Sequence, residues 1–551
     1  MTKTNKSNAN FLIQGSILAL ASIISRIIGL LYRIPMTNIL GDIGNGYYSC
    51  AYEIYSLMLI ISSSSLPLAV SKLISIEIGK GNTKQIKQIF KCSMIFAGII
   101  SFITAIIVWF GADFFTGTLL KTPYSSYALK VLAPTLIFVA FLGIVRGFFQ
   151  GMGNMQYSAI SQVIEQIVNA IVSVVAAYGL FQYGVKIGEA INDSYHLGPA
   201  YGAAGGTLGT CLGALAGLLF MLLVYYLYVK KLKQEDIIGK EETSSYTFKI
   251  LALTILPILL SSTIFHIAST IDQGIFKNIM MFMNYNSDDV DVSWGIFTGK
   301  YKLLANVPIA ISSAISVSAV PSLTTSFTQK KIDDVNNKIA MSTKFTMLVS
   351  MPSAMGLAVL AKPILLLLFP STAATISLSS NMMVVGAIGV VFYSLSTLTN
   401  GLLQGIDKLK TPIVNSAIAL VIHDIILVIL LMVFKLEIYA IVITYCSFAG
   451  IICILNAISL NKYVGYKQEY KNTMIMPIIC SMIMGLITYG VYYVIDIILP
   501  MTIACMISII VAIIAYAILI IKTKVISEEE LKEFPKGNLI IKVCKKCRIL
   551  S

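Results

Sequence analysis

Apolar runs of eighteen residues or more return along almost the whole of this sequence, from about Phe11 to Lys522, and that recurrence leaves few folds open. Inside a bilayer each backbone N–H and C=O must be satisfied within the segment, so uninterrupted runs of this length are read as membrane-spanning helices. With 57% of the 551 residues apolar and 12% charged, no soluble class fits. The opening run, about Phe11 to Ile34, is too long and too charged for a cleaved signal peptide. No small-x-small site follows it, so it is expected to stay as the first helix.

Fourteen spans are expected, near 11–34, 48–77, 88–112, 126–149, 156–181, 201–229, 249–276, 295–326, 342–369, 377–400, 412–434, 437–460, 473–498 and 500–522. The loops between them alternate in lysine. Lys80, Lys84, Lys87 and Lys91 form one basic loop, and others carry Lys230, Lys231, Lys233 and Lys240, then Lys330, Lys331 and Lys338. Lys408 and Lys410, then Lys462, Lys467 and Lys471, continue the series. The intervening loops are poor in lysine or acidic, as in Asp42, Asp113, Glu189 with Asp193, and Asp288, Asp289 and Asp291. The positive-inside rule then puts both termini in the cytoplasm of a plasma-membrane protein. It also accounts for the net charge of +14 through loops facing anionic lipid, with no nucleic-acid partner required.

The chain repeats itself. "GFFQGMGNMQYSAIS" starts at Gly147 and "GLLQGIDKLKTPIVN" at Gly401; Gln150 and Gln404 are 254 residues apart, and so are Pro67 and Pro321. The expected organisation is two parallel six-helix repeats around a central cavity, with two extra C-terminal helices. The N-lobe covers 1–230, a cytoplasmic linker 231–248 and the C-lobe 249–460. The last two helices cover 461–522 and a basic tail 523–551.

The nine cysteines lie mostly within helices and read as packing residues, and Cys544 and Cys547 make a lone CxxC with no second ligand pair. No metal or cofactor is expected. No nucleophile triad, phosphate loop or metal-spaced histidine cluster stands out, so an enzyme is not expected.

Only four arginines stand against 36 lysines, and Arg26, Arg33 and Arg146 lie in or at the ends of apolar spans. A guanidinium at mid-membrane costs at least ~2.5–3.5 kcal/mol, so such a residue should face a wet cavity or a partner. Its planar fork suits phosphate or carboxylate. Arg26 and Arg33 are seven residues apart, which places them on one helix face about 10 Å apart along the axis. Glu53 on the returning helix is expected near Arg33, and in the second repeat His266, Asp272, Lys300 and Lys302 occupy corresponding depths. Two readings stand. Arg33–Glu53 and Asp272–Lys302 could be salt bridges that lock a gate. Alternatively, Arg26, Arg33 and a lysine could bind an anionic group, with Glu53 and Asp272 as exchange partners. Gln162, Glu165, Gln166 and Asn169 form a polar stripe, with Arg146–Glu165 read as a structural pair. His423, Asp424 and His266 are candidates for coupling or gating.

"SRIIGLLYRIP", "LPLAVSKL", "RGFFQG" with "SQVIEQI", and "NVPIAISSAISVSAVPSL" together resemble the MurJ/SpoVB branch of the multidrug/oligosaccharidyl-lipid/polysaccharide exporter superfamily. The resemblance implies a flippase for an undecaprenyl-pyrophosphate-linked glycan, notably the peptidoglycan precursor lipid II. It also implies a groove at the last two helices for the lipid tail. Arg26 matches the arginine of the family's "SR..G" motif, Arg33 stands at or beside a second one, and Lys302 falls near a basic position. Tyr32-Arg33 replaces the Arg-Asp of many relatives, and Glu53 stands where several carry a base or an amide. The implied partners are the lipid-linked glycan and membrane lipids, for a monomer that could associate with cell-wall synthesis proteins. A cation or drug antiporter of the same superfamily is the alternative, and a non-transporting scaffold for cell-wall synthesis is a third.

Overall fold

The structure is a computed structural model and describes residues 2–64, 66–231 and 239–526; side chains are described for these except 2–16, 19, 64, 231, 256–266 and 371–372. The tail with Cys544, Cys547 and Arg548 lies outside the described residues, as does the side chain of His266. Every described element is helical. Eleven helices among the described residues are long and apolar enough to cross a membrane, and a pair bent by 81° would make a twelfth. The first of these runs Leu20–Gly79 and takes in the expected span 48–77 and most of the span 11–34. A further 39-residue helix, Ser244–Phe282, lies partly outside the side-chain description, so fourteen crossings are compatible with the set. The chain is an all-α multi-pass membrane protein.

It divides into two compact units, Met1–Gly299 and Lys300–Ser551. The first holds α1 (Thr2–Leu59), α2 (Leu66–Gly79), α3 (Thr83–Asp113), α4 (Ser126–Gly151), α5 (Gln156–Ile191), α6 (Ser194–Lys231), α7 (Ser244–Phe282) and α8 (Ser287–Ile296). α1 is broken at Gly41, where φ is 66° and ψ −175°, a conformation an L-residue would hold only under strain. A break frees backbone carbonyls, and the buried Asn45 amide answers it by donating to Thr37 O at 3.1 Å and Gly41 O at 2.6 Å. Beyond the break, α1 meets α8 almost backbone to backbone. A Cβ on Gly46 would collide with Asp291 O, and one on Gly295 would collide with Asp42 O.

The repeat in the sequence places α7 at the start of the second lobe, yet it clusters with the first unit. A buried ion pair is part of the reason. Lys277 on α7, fully buried, reaches Asp291 on α8 at 2.5 Å and also donates to the Thr122 hydroxyl. Thr122 in turn donates to Asp291 at 3.1 Å, tying both helices to the loop before α4.

α5 and α6 pack through glycines spaced four apart, Gly205, Gly209 and Gly213, the small-residue spacing that lets membrane helices touch. A Cβ on Gly209 would collide with Ser173 Oγ and fall 2.5 Å from the Ser173 backbone nitrogen. Gly209→Val is therefore expected to separate the helices and lower stability by at least ~1–3 kcal/mol. Gly179→Ala on the same α5, where a Cβ meets nothing within 4 Å, is expected to be neutral or better. Thermal unfolding of the two purified variants checks this, and equal midpoints would contradict it.

The second unit holds α9 (Lys302–Thr328), α10 (Ile332–Val359), α11 (Ala361–Leu368), α12 (Ile376–Gly405), α13 (Lys410–Met432), α14 (Ile438–Val464), α15 (Met476–Asp496) and α16 (Met501–Lys522). A buried amide chain joins three of them. Asn415 donates to Asn456 at 2.9 Å, and Asn456 donates to Thr399 and Asn400 at 2.9 and 2.8 Å. Buried amides in this arrangement are satisfied within the bundle.

The 254-residue offset recurs as geometry. α4 ends with Met152 N, Gly153 N and Asn154 N donating to Phe148 O, Gln150 O and Phe149 O. α12 ends with Ile406 N, Asp407 N and Lys408 N donating to Leu402 O, Gln404 O and Leu403 O. Gly153 and Asp407 both take positive φ, 79° and 60°.

Candidate functional site

On α1, Ser22, Arg26, Gly29 and Arg33 follow one another at steps of four, three and four, which lines them along one face. Arg26 is exposed and Arg33 half-buried. The Arg33 guanidinium lies 4.8 Å from the Tyr48 ring centre and 5.8 Å from that of Tyr52. The two rings stack on each other at 5.8 Å, and Tyr55 continues the aromatic row. The tyrosines come from the half of α1 beyond Gly41, so the break at that glycine folds the helix back over its own arginine. Ring faces attract a cation without neutralising it.

Arg33 and Glu53 are given separate partners. The Glu53 carboxylate accepts from the Ser269 hydroxyl on α7 at 2.6 Å, whereas the described contacts of Arg33 are with tyrosines: the ring faces of Tyr48 and Tyr52 and a side-chain hydrogen bond to Tyr32. Depth along the helices puts these two residues at one level but does not say which way each turns.

α5 lies along the arginine face of α1. Ser22 Oγ donates to Gln162 Oε1 at 3.2 Å, and Asn169 Nδ2 donates to the Tyr32 hydroxyl at 3.3 Å. Between them, Gln166 Oε1 sits 3.8 Å from where a Cβ on Gly29 would be. On the neighbouring turn Arg146 donates to Glu165 at 2.8 Å and, through Nε, to Ser161 at 2.8 Å. The polar stripe of the sequence is thus divided: Glu165 turns to α4, and the amides follow α1.

Asp272 is half-buried on α7, one residue before the buried Gln273. In the second unit Lys300 is only 1% exposed, in the π-turn before α9. Lys302 is more open and lies 5.7 Å from the Tyr445 ring centre. Of these two lysines, Lys302 is the accessible one. His423 is buried; its Nδ1–H donates to Thr444 O at 2.8 Å, which fixes the tautomer, because a carbonyl only accepts. Its Nε2 is 4.0 Å from Asp424.

An apolar groove of about 1060 Å³ runs between α9, α10, α15 and α16. Phe345, Leu348, Met484, Ile513, Tyr516 and Ile520 are among the residues that line it. Sequence reasoning missed three features: the Tyr48–Tyr52 cradle, the Gly46–Gly295 seam, and the Lys277–Asp291 pair. Lys277 did leave a signal, as a lone lysine in "GIFKNIMMF".

Residues 12–327 match the family described as polysaccharide biosynthesis protein, and residues 302–430 match MatE. The lipid II flippase MurJ of Bacillus subtilis (strain 168) is 25% identical over 490 residues, which is 85% of this chain and 86% of the relative. Stage V sporulation protein B of the same organism is 24% identical over 535 residues, 96% of this chain and 98% of that one. Among solved structures, a lipid II flippase MurJ in an inward closed conformation aligns with a TM-score of 0.67 at 16% identity, covering 91% of this chain and 97% of its own. A multidrug resistance MATE family transporter in an inward-facing conformation aligns at 0.63 and 13% identity, covering 83% and 98%.

Proposed function

The chain belongs to the polysaccharide biosynthesis protein family, in the MurJ/SpoVB branch of the multidrug/oligosaccharidyl-lipid/polysaccharide exporter superfamily, and from that starting point we propose that it is a flippase. Its cargo is an undecaprenyl-pyrophosphate-linked glycan, lipid II first among them, carried from the cytoplasmic to the outer leaflet with both termini in the cytoplasm. It is a transporter and not an enzyme, and its partners are the lipid-linked glycan and the surrounding lipid.

One observation carries the reading. Two guanidinium groups share a face of α1, and Arg33 is held by tyrosine rings that leave its charge available. Forks of this kind match the paired oxygens of a diphosphate. Glu53, whose carboxylate accepts from the Ser269 hydroxyl, is the exchange partner in this reading. In the second unit Lys300 and Lys302 are the further substrate-binding residues of this reading, and the apolar groove of α15 and α16 suits a long prenyl tail. Transport proceeds by alternating access, with Asp272, His266, His423 and Asp424 as the coupling or gating residues.

The MatE match favours a second reading, a cation or drug antiporter. The exposed Arg26 beside Arg33 argues against it, because fixed positive charge repels an organic cation. Binding to the purified protein separates the two. Lipid II and undecaprenyl pyrophosphate are expected to bind at least about a hundredfold more tightly than an organic-cation drug, a difference of ~2.7 kcal/mol. The opposite order would establish the antiporter.

A further inference from the structure

The amide side chains of α5 carry an inference that builds on the flippase reading. Asn169 is satisfied inside the protein: it donates to Tyr32 and accepts from Ser173 at 2.8 Å. Gln162 accepts from Ser22 through its oxygen, which leaves its Nε2 without a partner among the described residues. Gln166 has no hydrogen-bond partner there at all, and neither glutamine is among the buried polar groups that lack one, so both amides are open to what lies outside. They are i and i+4 on a helix that is long and apolar enough to span the membrane. An amide facing hydrocarbon with no partner costs several kcal/mol, so these two must face water or a polar guest.

Their position names the guest. Ser22 and Gly29, which they approach, lie one turn to either side of Arg26 on the arginine face of α1. Gly29 matters because it has no side chain, so Gln166 reaches α1 without being covered. A primary amide both donates and accepts. A diphosphate at neutral pH only accepts, and guanidinium groups already serve it. The groups that need a donor and an acceptor together are hydroxyls and amides on a sugar ring. We propose that Gln162 and Gln166 read the sugar attached to the diphosphate, and so determine which glycosylated lipids this protein accepts.

The test compares the full-length purified protein with Gln166→Ala and with Gln162→Ala/Gln166→Ala. The probes are undecaprenyl pyrophosphate without sugar and the same lipid carrying its glycan. The double variant is expected to bind the glycosylated lipid about tenfold more weakly than wild type and the sugarless lipid within about twofold. Gln166→Asn, which shortens the side chain but keeps the amide, is expected to fall between wild type and Gln166→Ala on the glycosylated lipid alone. Asn169→Ala removes the internally satisfied amide and is expected to lower thermal stability without changing the ratio of the two affinities. Equal weakening of both lipids would mean that the amides only seat α1, and no weakening of either would mean that they contact nothing; each overturns the assignment. If wild type binds neither lipid, the flippase reading itself falls and takes this one with it.

Discussion

Replacing Arg33 with alanine is expected to reduce translocation of a labelled lipid-linked diphosphate by about ten- to a hundredfold in reconstituted vesicles. Arg26→Ala should act similarly, and the double variant should fall below detection. The magnitude follows from the contact removed: a charge-assisted hydrogen bond contributes roughly 1.5–3 kcal/mol, or one to two powers of ten. Arg33→Lys separates charge from shape. Lysine keeps the charge over Tyr48 and Tyr52 but cannot present two parallel donors to a diphosphate, so an intermediate rate is expected. If Arg33→Lys matched wild type, a point charge would be enough. If Arg33→Ala matched it, the guanidinium would be structural.

The second large effect concerns folding. Lys277→Met leaves Asp291, 3% exposed, as a buried carboxylate without its cation, and breaking such a pair typically costs ~3–5 kcal/mol. That is a large share of the stability of any domain, so the single variant is expected to yield little folded protein. Lys277→Met/Asp291→Leu removes both charges and is expected to recover most of it, because a well-packed apolar pair often replaces a buried ion pair without loss. Detergent-solubilised yield and the thermal midpoint report both results. A single variant as stable as wild type would show that the pair does not tie α7 to α8.

What can be read from the sequence depends on whether a property is local. A run of apolar residues states its own helicity, and a 254-residue offset marks a repeat whether or not the chain is folded. The end of α4 and the end of α12 share one turn because the same residue pattern closes both. Span counting is harder at Gly41. There the helix does not stop in a polar loop but turns through a single left-handed glycine, capped from inside by Asn45. Depth follows from counting residues, which is why Arg33 and Glu53 share one level in the sequence. Rotation does not, because the direction a side chain faces depends on the neighbour a helix packs against. Arg33 therefore meets tyrosines and Glu53 meets Ser269. Asp291 looks like one of several loop acids, although it is held in a buried ion pair, since its burial depends on α8 packing against α7 and α1, which no local pattern states.

The flippase reading stands or falls on whether paired guanidiniums at membrane depth receive a diphosphate. The affinity of the purified protein for a polyprenyl diphosphate, set against the polyprenyl alcohol of equal chain length, decides this. The diphosphate is expected to bind at least about a hundredfold more tightly, an advantage of ~2.7 kcal/mol that should shrink in Arg26→Ala and in Arg33→Ala. Equal affinities, or a diphosphate advantage that survives the loss of both arginines, would contradict it.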